Sequence, residues 1–136
     1  MTHQLIIIGA GPGGYEVGVK AAKAGLQVLV VEARKLGGTC LNEGCIPTKC
    51  LCKNASLLQE LKEANAFGIE AGEVQFDLSK AIARKDGIVE QLASGIATLM
   101  KTPGITLVLG KARFVDQHTI EVEGTQYSAP NIIIAT

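Results

Sequence analysis

Residues 5–9, LIIIG, form an apolar run without alternation, which fits a strand covered on both faces and predicts a central, parallel strand. A helical period follows through GPGGYEVGVKAAKAG, where Gly14, Gly18 and Ala22 fall four apart and put small side chains on one face. Such a face lets a helix lie close on a sheet. Gly25 stands where a left-handed C-cap belongs, and residues 26–31 return as a second apolar, β-branched run ending at Glu32. Strand, helix and strand in so short a span predict a βαβ unit.

Residues 33–39 read as a loop. From Cys40 to about Glu63 the spacing is helical, with a break expected at Pro47, which has no N–H to donate to the Glu43 carbonyl. After a loop over residues 67–76, Leu78, Ile82, Val89, Leu92, Ile96 and Leu99 recur at spacings of three, four and seven, opposite Lys80, Arg84, Asp86 and Glu90. This predicts a long amphipathic helix whose apolar stripe is core packing. Pro103 and Gly104 end it. ITLVLG, KARFV, TIEVEG and QYSA then read as one strand plus a small antiparallel meander, and residues 132–135 as a last apolar strand. The sequence stops at Thr136 with no turn or cap, as a cut would leave it. The fold class expected is α/β, a parallel sheet with helices and a small antiparallel β-meander, in one truncated domain.

Charge narrows the partners. Lys plus Arg and Asp plus Glu are each 13, so the 136 residues carry no net charge and no field that would gather a nucleic acid or an anionic membrane surface. No apolar run approaches the roughly 20 residues that span a bilayer, and the first residues lack a basic leader region. A soluble, unprocessed, cytoplasmic chain is expected. Glycine, at 16 residues, exceeds the usual share of about 7%, which suggests backbone brought close to a ligand.

Gly9, Gly11 and Gly14 make G-x-G-x-x-G between a strand and a helix. The first turns the chain, the second lets a pyrophosphate approach the backbone, and the third lets helix and strand pack; the phosphates then rest on the helix N-terminus without any cation. Glu32, 21 positions after Gly11 at the end of the next strand, is placed to accept hydrogen bonds from ribose hydroxyls. It would repel a ribose 2'-phosphate, although Arg34 is a neighbour.

All four cysteines fall within GGTCLNEGCIPTKCLC. A bridge from Cys40 to Cys45 closes so short a loop that it would restrict the unfolded chain by only about 2 kcal/mol. A pair so close is more often redox-active or metal-binding than structural. Cys40 is expected where a helix begins and the backbone dipole favours a thiolate. Residues five apart point away from each other in a regular helix, so pairing needs a distorted turn. Zinc or an iron–sulfur cluster is the rival, but the spacings of those sites are not matched, and no metal ligand is assigned. Cys50 and Cys52 read as small buried hydrophobes. Lys49 shares a helix face with Cys45, where a cation would favour a thiolate or negative charge on an electron-accepting ring. His3 and His118 read as surface residues.

Together, IIIGAGPGGYEVGVKAAKAGLQVLVVE, GGTCLNEGCIPTK, GKARF and NIIIAT resemble the flavin-dependent pyridine nucleotide-disulfide oxidoreductases, and within them the dihydrolipoamide dehydrogenase branch, to which Leu41 and the Ile46, Pro47, Thr48 run are similar. Glutathione or mercuric reductases are the alternative branch. The resemblance implies a Rossmann-like FAD-binding domain whose N-terminal part is residues 1–136; the NAD domain, the rest of the FAD domain and the C-terminal dimerisation domain would be absent. It implies that Gly9, Gly11 and Gly14 hold the FAD pyrophosphate and Glu32 the adenosine ribose, with Gly38 and Thr39 along the same cofactor. Cys45 would be the thiol against the flavin, Cys40 the outer thiol, and Lys49 near the reactive flavin nitrogen. Ala112 would contact adenine, and Thr136 would begin a further cofactor-binding motif. The implied reaction oxidises dihydrolipoamide and passes electrons through the cysteines and FAD to NAD. The implied partners are a lipoyl carrier domain of a 2-oxo acid dehydrogenase or glycine cleavage complex and, for the full-length protein, a second subunit.

Overall fold

The computed structural model describes residues 3–136. Strands β1 (Leu5–Ile8) and β2 (Val28–Glu32) flank helix α1 (Pro12–Lys23) as the pattern requires. Helices α2 (Gly38–Asn42), α3 (Cys45–Glu63) and α4 (Leu78–Leu99) follow, with a 3₁₀ turn at Ala64–Phe67, then β3 (Ile105–Leu109), β4 (Ala112–Phe114), β5 (Thr119–Val122), β6 (Thr125–Ser128) and β7 (Asn131–Ile134). The main sheet has the order β3-β2-β1-β7 and every pairing in it is parallel; β4, β5 and β6 form the antiparallel meander.

The absence of alternation in β1 has a direct cause. Leu5 and Ile7 pack with Val28, Val30, Ala22 and Met100 on the helical side of the sheet. Ile6 packs with Leu29 and Val31 on the other side, against Ile120, Val122 and Ala129 of the meander and the turn after it. Ile6, Ile7, Leu29 and Val30 are fully buried, each contributing about 1.5–3 kcal/mol. On α1 the buried residues are Gly14, Gly18 and Ala22, the small-residue stripe. A Cβ on Gly18 would stand 3.2 Å from Val30 Cγ2, so the helix sits as close to the sheet as glycine permits.

The segment around the cysteines differs from the expectation of one helix starting at Cys40 and broken at Pro47. The chain makes two helices, and the break falls at Glu43 and Gly44. Gly44 takes φ −120° and ψ −101°, which ends α2. Pro47 is the third residue of α3, where no intrahelical donor is lost, and the first bond of α3 runs from the Thr48 N–H to the Gly44 carbonyl at 3.0 Å. Cys40 therefore lies inside α2, and Cys45 opens the long helix.

Three further expectations need correction. Cys50 is buried, but Cys52, two positions on and so on another side of α3, is exposed. Of the α4 stripe only Ile96 is buried; Leu78, Ile82, Leu92 and Leu99 are exposed, because α4 packs mainly on α3 and turns Ala81 and Ile96 inward. His3 is half-buried, its ring 6.4 Å from that of Tyr127, and burial pushes its pKa below the ordinary value. Among the described residues no helix is long and apolar enough to cross a membrane.

Candidate functional site

At the C-terminal ends of β1 and β2 the chain leaves a cleft of about 530 Å³, within the range of small-molecule sites. Gly9 ends β1 with φ +107°, and a Cβ there would overlap the Ala135 carbonyl beyond β7. Gly14 is buried beneath the turn, where a Cβ would overlap the Gly9 carbonyl oxygen. No side chain caps α1, and Gly11 and Gly13 both line the cleft. The first-turn N–H groups of a helix have no intrahelical partners. Uncapped, they suit an anion.

Glu32 is fixed from two sides. Its Oε2 accepts the Ala10 N–H and its Oε1 the Arg34 N–H, both at 2.8 Å, which joins the acid to the glycine turn. A second glycine pair closes the floor. The Gly37 N–H donates to the Ala10 carbonyl at 2.8 Å, and a Cβ on Gly38, whose φ is +61°, would come 2.8 Å from Gly11 Cα. Side chains there would push the two loops apart.

Cys40 and Cys45 form a disulfide with Cα atoms 4.7 Å apart. The restart of the helix at Gly44 is what turns residues five apart toward each other. Asn42 holds the intervening loop, its Nδ2 donating to the carbonyls of Leu36 at 3.0 Å and Gly38 at 2.9 Å. Arg34 reaches across from the end of β2 and donates from Nη2 to Glu43 Oε1 at 2.6 Å.

Of the residues singled out in the sequence, Gly9, Gly11, Glu32, Gly38, Thr39, Cys40, Ala112 and Thr136 line this one cleft. Gly14 lies underneath it. Cys45 is exposed at the start of α3 and Lys49 is exposed one turn later; neither lines the cleft. Sequence reasoning missed the tie between Ala10 and Glu32, the Asn42 staple and the Arg34–Glu43 pair. Only Asn42 had a usable signal, a short amide side chain of the kind that favours local bonds to backbone. Among the described residues no group of three or more His, Cys, Asp or Glu side chains is placed to hold a metal ion.

A glycine turn at an uncapped helix, an acid at the end of the next strand and a disulfide thus stand together around one cleft. Residues 3–136 match the pyridine nucleotide-disulphide oxidoreductase family, and the chain belongs to it. The chain is 47% identical over 135 residues to the dihydrolipoyl dehydrogenase of Thermus scotoductus, covering 99% of this chain and 29% of that protein. With the dihydrolipoyl dehydrogenase of Bacillus subtilis it shares 48% over 122 residues, 88% of this chain and 27% of that protein. The HOCl-induced flavoprotein disulfide reductase RclA from Escherichia coli superposes with a TM-score of 0.82 at 32% identity, over 98% of this chain and 28% of that one. The chain thus spans under a third of each of these relatives.

Proposed function

We propose that this chain is the N-terminal, FAD-binding and redox-disulfide portion of a cytoplasmic dihydrolipoyl dehydrogenase, and that the NAD domain, the rest of the FAD domain and the dimerisation domain belong to the same longer protein. The observation that carries the reading is the Cys40–Cys45 disulfide beside the cleft that the glycine turn and Glu32 line. The cradle fits FAD: Gly11 and Gly38 leave bare backbone where a pyrophosphate would lie, and Glu32 is held by two N–H donors with acceptor capacity to spare for ribose hydroxyls. Thr39, Ala112 and Thr136 line the same cleft, Thr136 beside Gly9.

A dihydrolipoamide thiolate attacks the Cys40 sulfur, the Cys40–Cys45 bond breaks, and Cys45 leaves as a thiolate. The second substrate thiol, losing its proton, attacks the mixed disulfide; lipoamide departs and Cys40 is left as a thiol. Two electrons now reside on the cysteine pair. Cys45, as the first residue of α3, has its negative charge favoured by the helix N-terminus, and Lys49 lies one turn further on. Bound FAD supplies the two-electron acceptor between this dithiol and NAD.

The substrate is a lipoyl group on the carrier domain of a 2-oxo acid dehydrogenase or glycine cleavage complex, served by a homodimer. The relatives named dihydrolipoyl dehydrogenase, at 47% and 48% identity, favour this branch over glutathione or mercuric reductases. The test is to purify the full-length protein containing these residues. It should be yellow, reduce NAD with dihydrolipoamide, and lose that activity when either Cys40 or Cys45 is replaced by serine. A colourless protein, or one that reduces glutathione disulfide or mercuric ion and leaves dihydrolipoamide untouched, overturns the reading.

A further inference from the structure

Glu43 puts a carboxylate inside the loop that the disulfide closes, separated from Cys45 by Gly44 alone. That is an unfavourable place for it. Reduction of the pair has to accommodate a thiolate, and a negative charge in the same short loop opposes its formation. The charge is not left alone: Arg34, from the segment after β2, makes a 2.6 Å ion pair with it across the rim of the cleft. The two side chains are 70% and 47% exposed, so the pair contributes little to the stability of the fold.

We propose that Arg34 is a positioning residue for the redox pair: it cancels the Glu43 charge within the disulfide loop and ties that loop to the strand end that carries Glu32. The inference rests on the reading of Cys40 and Cys45 as the redox pair. The charged groups around the pair are few. Glu32, Arg34, Lys35 and Glu43 line the rim and Lys49 follows on α3, while residues 91–99 of α4, which include the Ile96 packed beside Gly37, carry no charge. Two acids and two bases balance along the rim, so removing one member leaves a net charge beside the cysteines.

The test titrates the reduced pair in the full 136-residue chain by the rate of iodoacetamide alkylation at Cys40 and Cys45, read peptide by peptide over a pH series. At low ionic strength Arg34→Gln should raise the midpoint by roughly half a pH unit, the size expected for one charge several ångströms away through a mostly aqueous medium. Glu43→Gln should lower it by a similar amount. The double variant, and the swapped variant Arg34→Glu with Glu43→Arg, should return near the parent value. All differences should shrink in about 1 M salt, where the screening length falls to about 3 Å. Midpoints unmoved by Arg34→Gln, or a shift that persists in high salt and in the double variant, overturn the proposal. A separate arm equilibrates the parent in a glutathione redox buffer, in which two glutathiones become one glutathione disulfide as Cys40–Cys45 becomes a dithiol. Failure to interconvert there sinks the redox reading itself and the proposal with it; normal interconversion with unmoved midpoints sinks only the role of Arg34.

Discussion

The Ala10 N–H donates to Glu32 Oε2 at 2.8 Å, so the acid at the end of β2 and the glycine turn after β1 are one mechanical unit. Glu32→Ala leaves that donor and the Arg34 N–H without their acceptor. It should cost roughly 1–2 kcal/mol of stability before any ligand is present, with Glu32→Gln costing less because one acceptor oxygen remains. Urea unfolding measures both; an Ala variant with an unchanged midpoint would mean that Glu32 serves the ligand alone.

Neighbouring glycines should behave in opposite ways. A Cβ on Gly13 meets nothing within 4 Å, and its φ is ordinary, so Gly13→Ala should raise the stability of α1 by up to about 1 kcal/mol. Gly14→Ala, where the new methyl meets the Gly9 carbonyl oxygen, should lower it by about 1–3 kcal/mol and displace the turn. Thermal melts of the two variants give the comparison, and equal effects would contradict the packing described.

Thiol reactivity should follow exposure and helix position. In the reduced chain without cofactor, Cys45, exposed at the first residue of α3, should be alkylated before half-buried Cys40 and well before buried Cys50. In the full-length protein with FAD bound, Cys45 should be protected and Cys40 should react first. Peptide mapping after brief alkylation reads the order. The same order in both states would count against placing Cys45 at the flavin.

The start of α4 should be acid-sensitive. The Ser79 hydroxyl and the Ser79 and Lys80 N–H groups donate to Asp77 Oδ1 and hold its pKa below the ordinary carboxylate value, the Ser79 side chain first. A carboxyl lowered in the fold contributes fully above the unfolded pKa of about 4 and loses that contribution as pH falls through the folded value. Asp77→Ala should therefore lower the melting temperature by a few degrees at neutral pH and make little difference near pH 2. A gap that is constant with pH would show that the cap works without its charge.

The parallel sheet was legible in the sequence because each of its signals has one physical meaning. An unalternating run is buried on both sides, small residues four apart bring a helix close, and glycine after a helix turns left-handed. The cysteine loop was harder. Proline is the stronger helix breaker in general, yet Pro47 sits where a first turn tolerates it, and Gly44 makes the break. The α4 stripe misled for another reason: periodicity reveals which side of a helix is apolar, not whether anything covers that side. Arg34 and Glu43 could not be paired from spacing, since their contact depends on how α2 folds back over the end of β2.

The Asn42 staple and the bend at Gly44 mean that the Cys40–Cys45 loop keeps its shape through hydrogen bonds and backbone geometry that do not depend on the sulfur bond. A span this short restrains the unfolded chain by only about 2 kcal/mol, and the core of Ile6, Ile7, Leu29 and Val30 lies elsewhere. Opening and closing the bond is thereby separated from folding and unfolding the protein. The redox cycling proposed for the pair would then leave the scaffold that carries it in place.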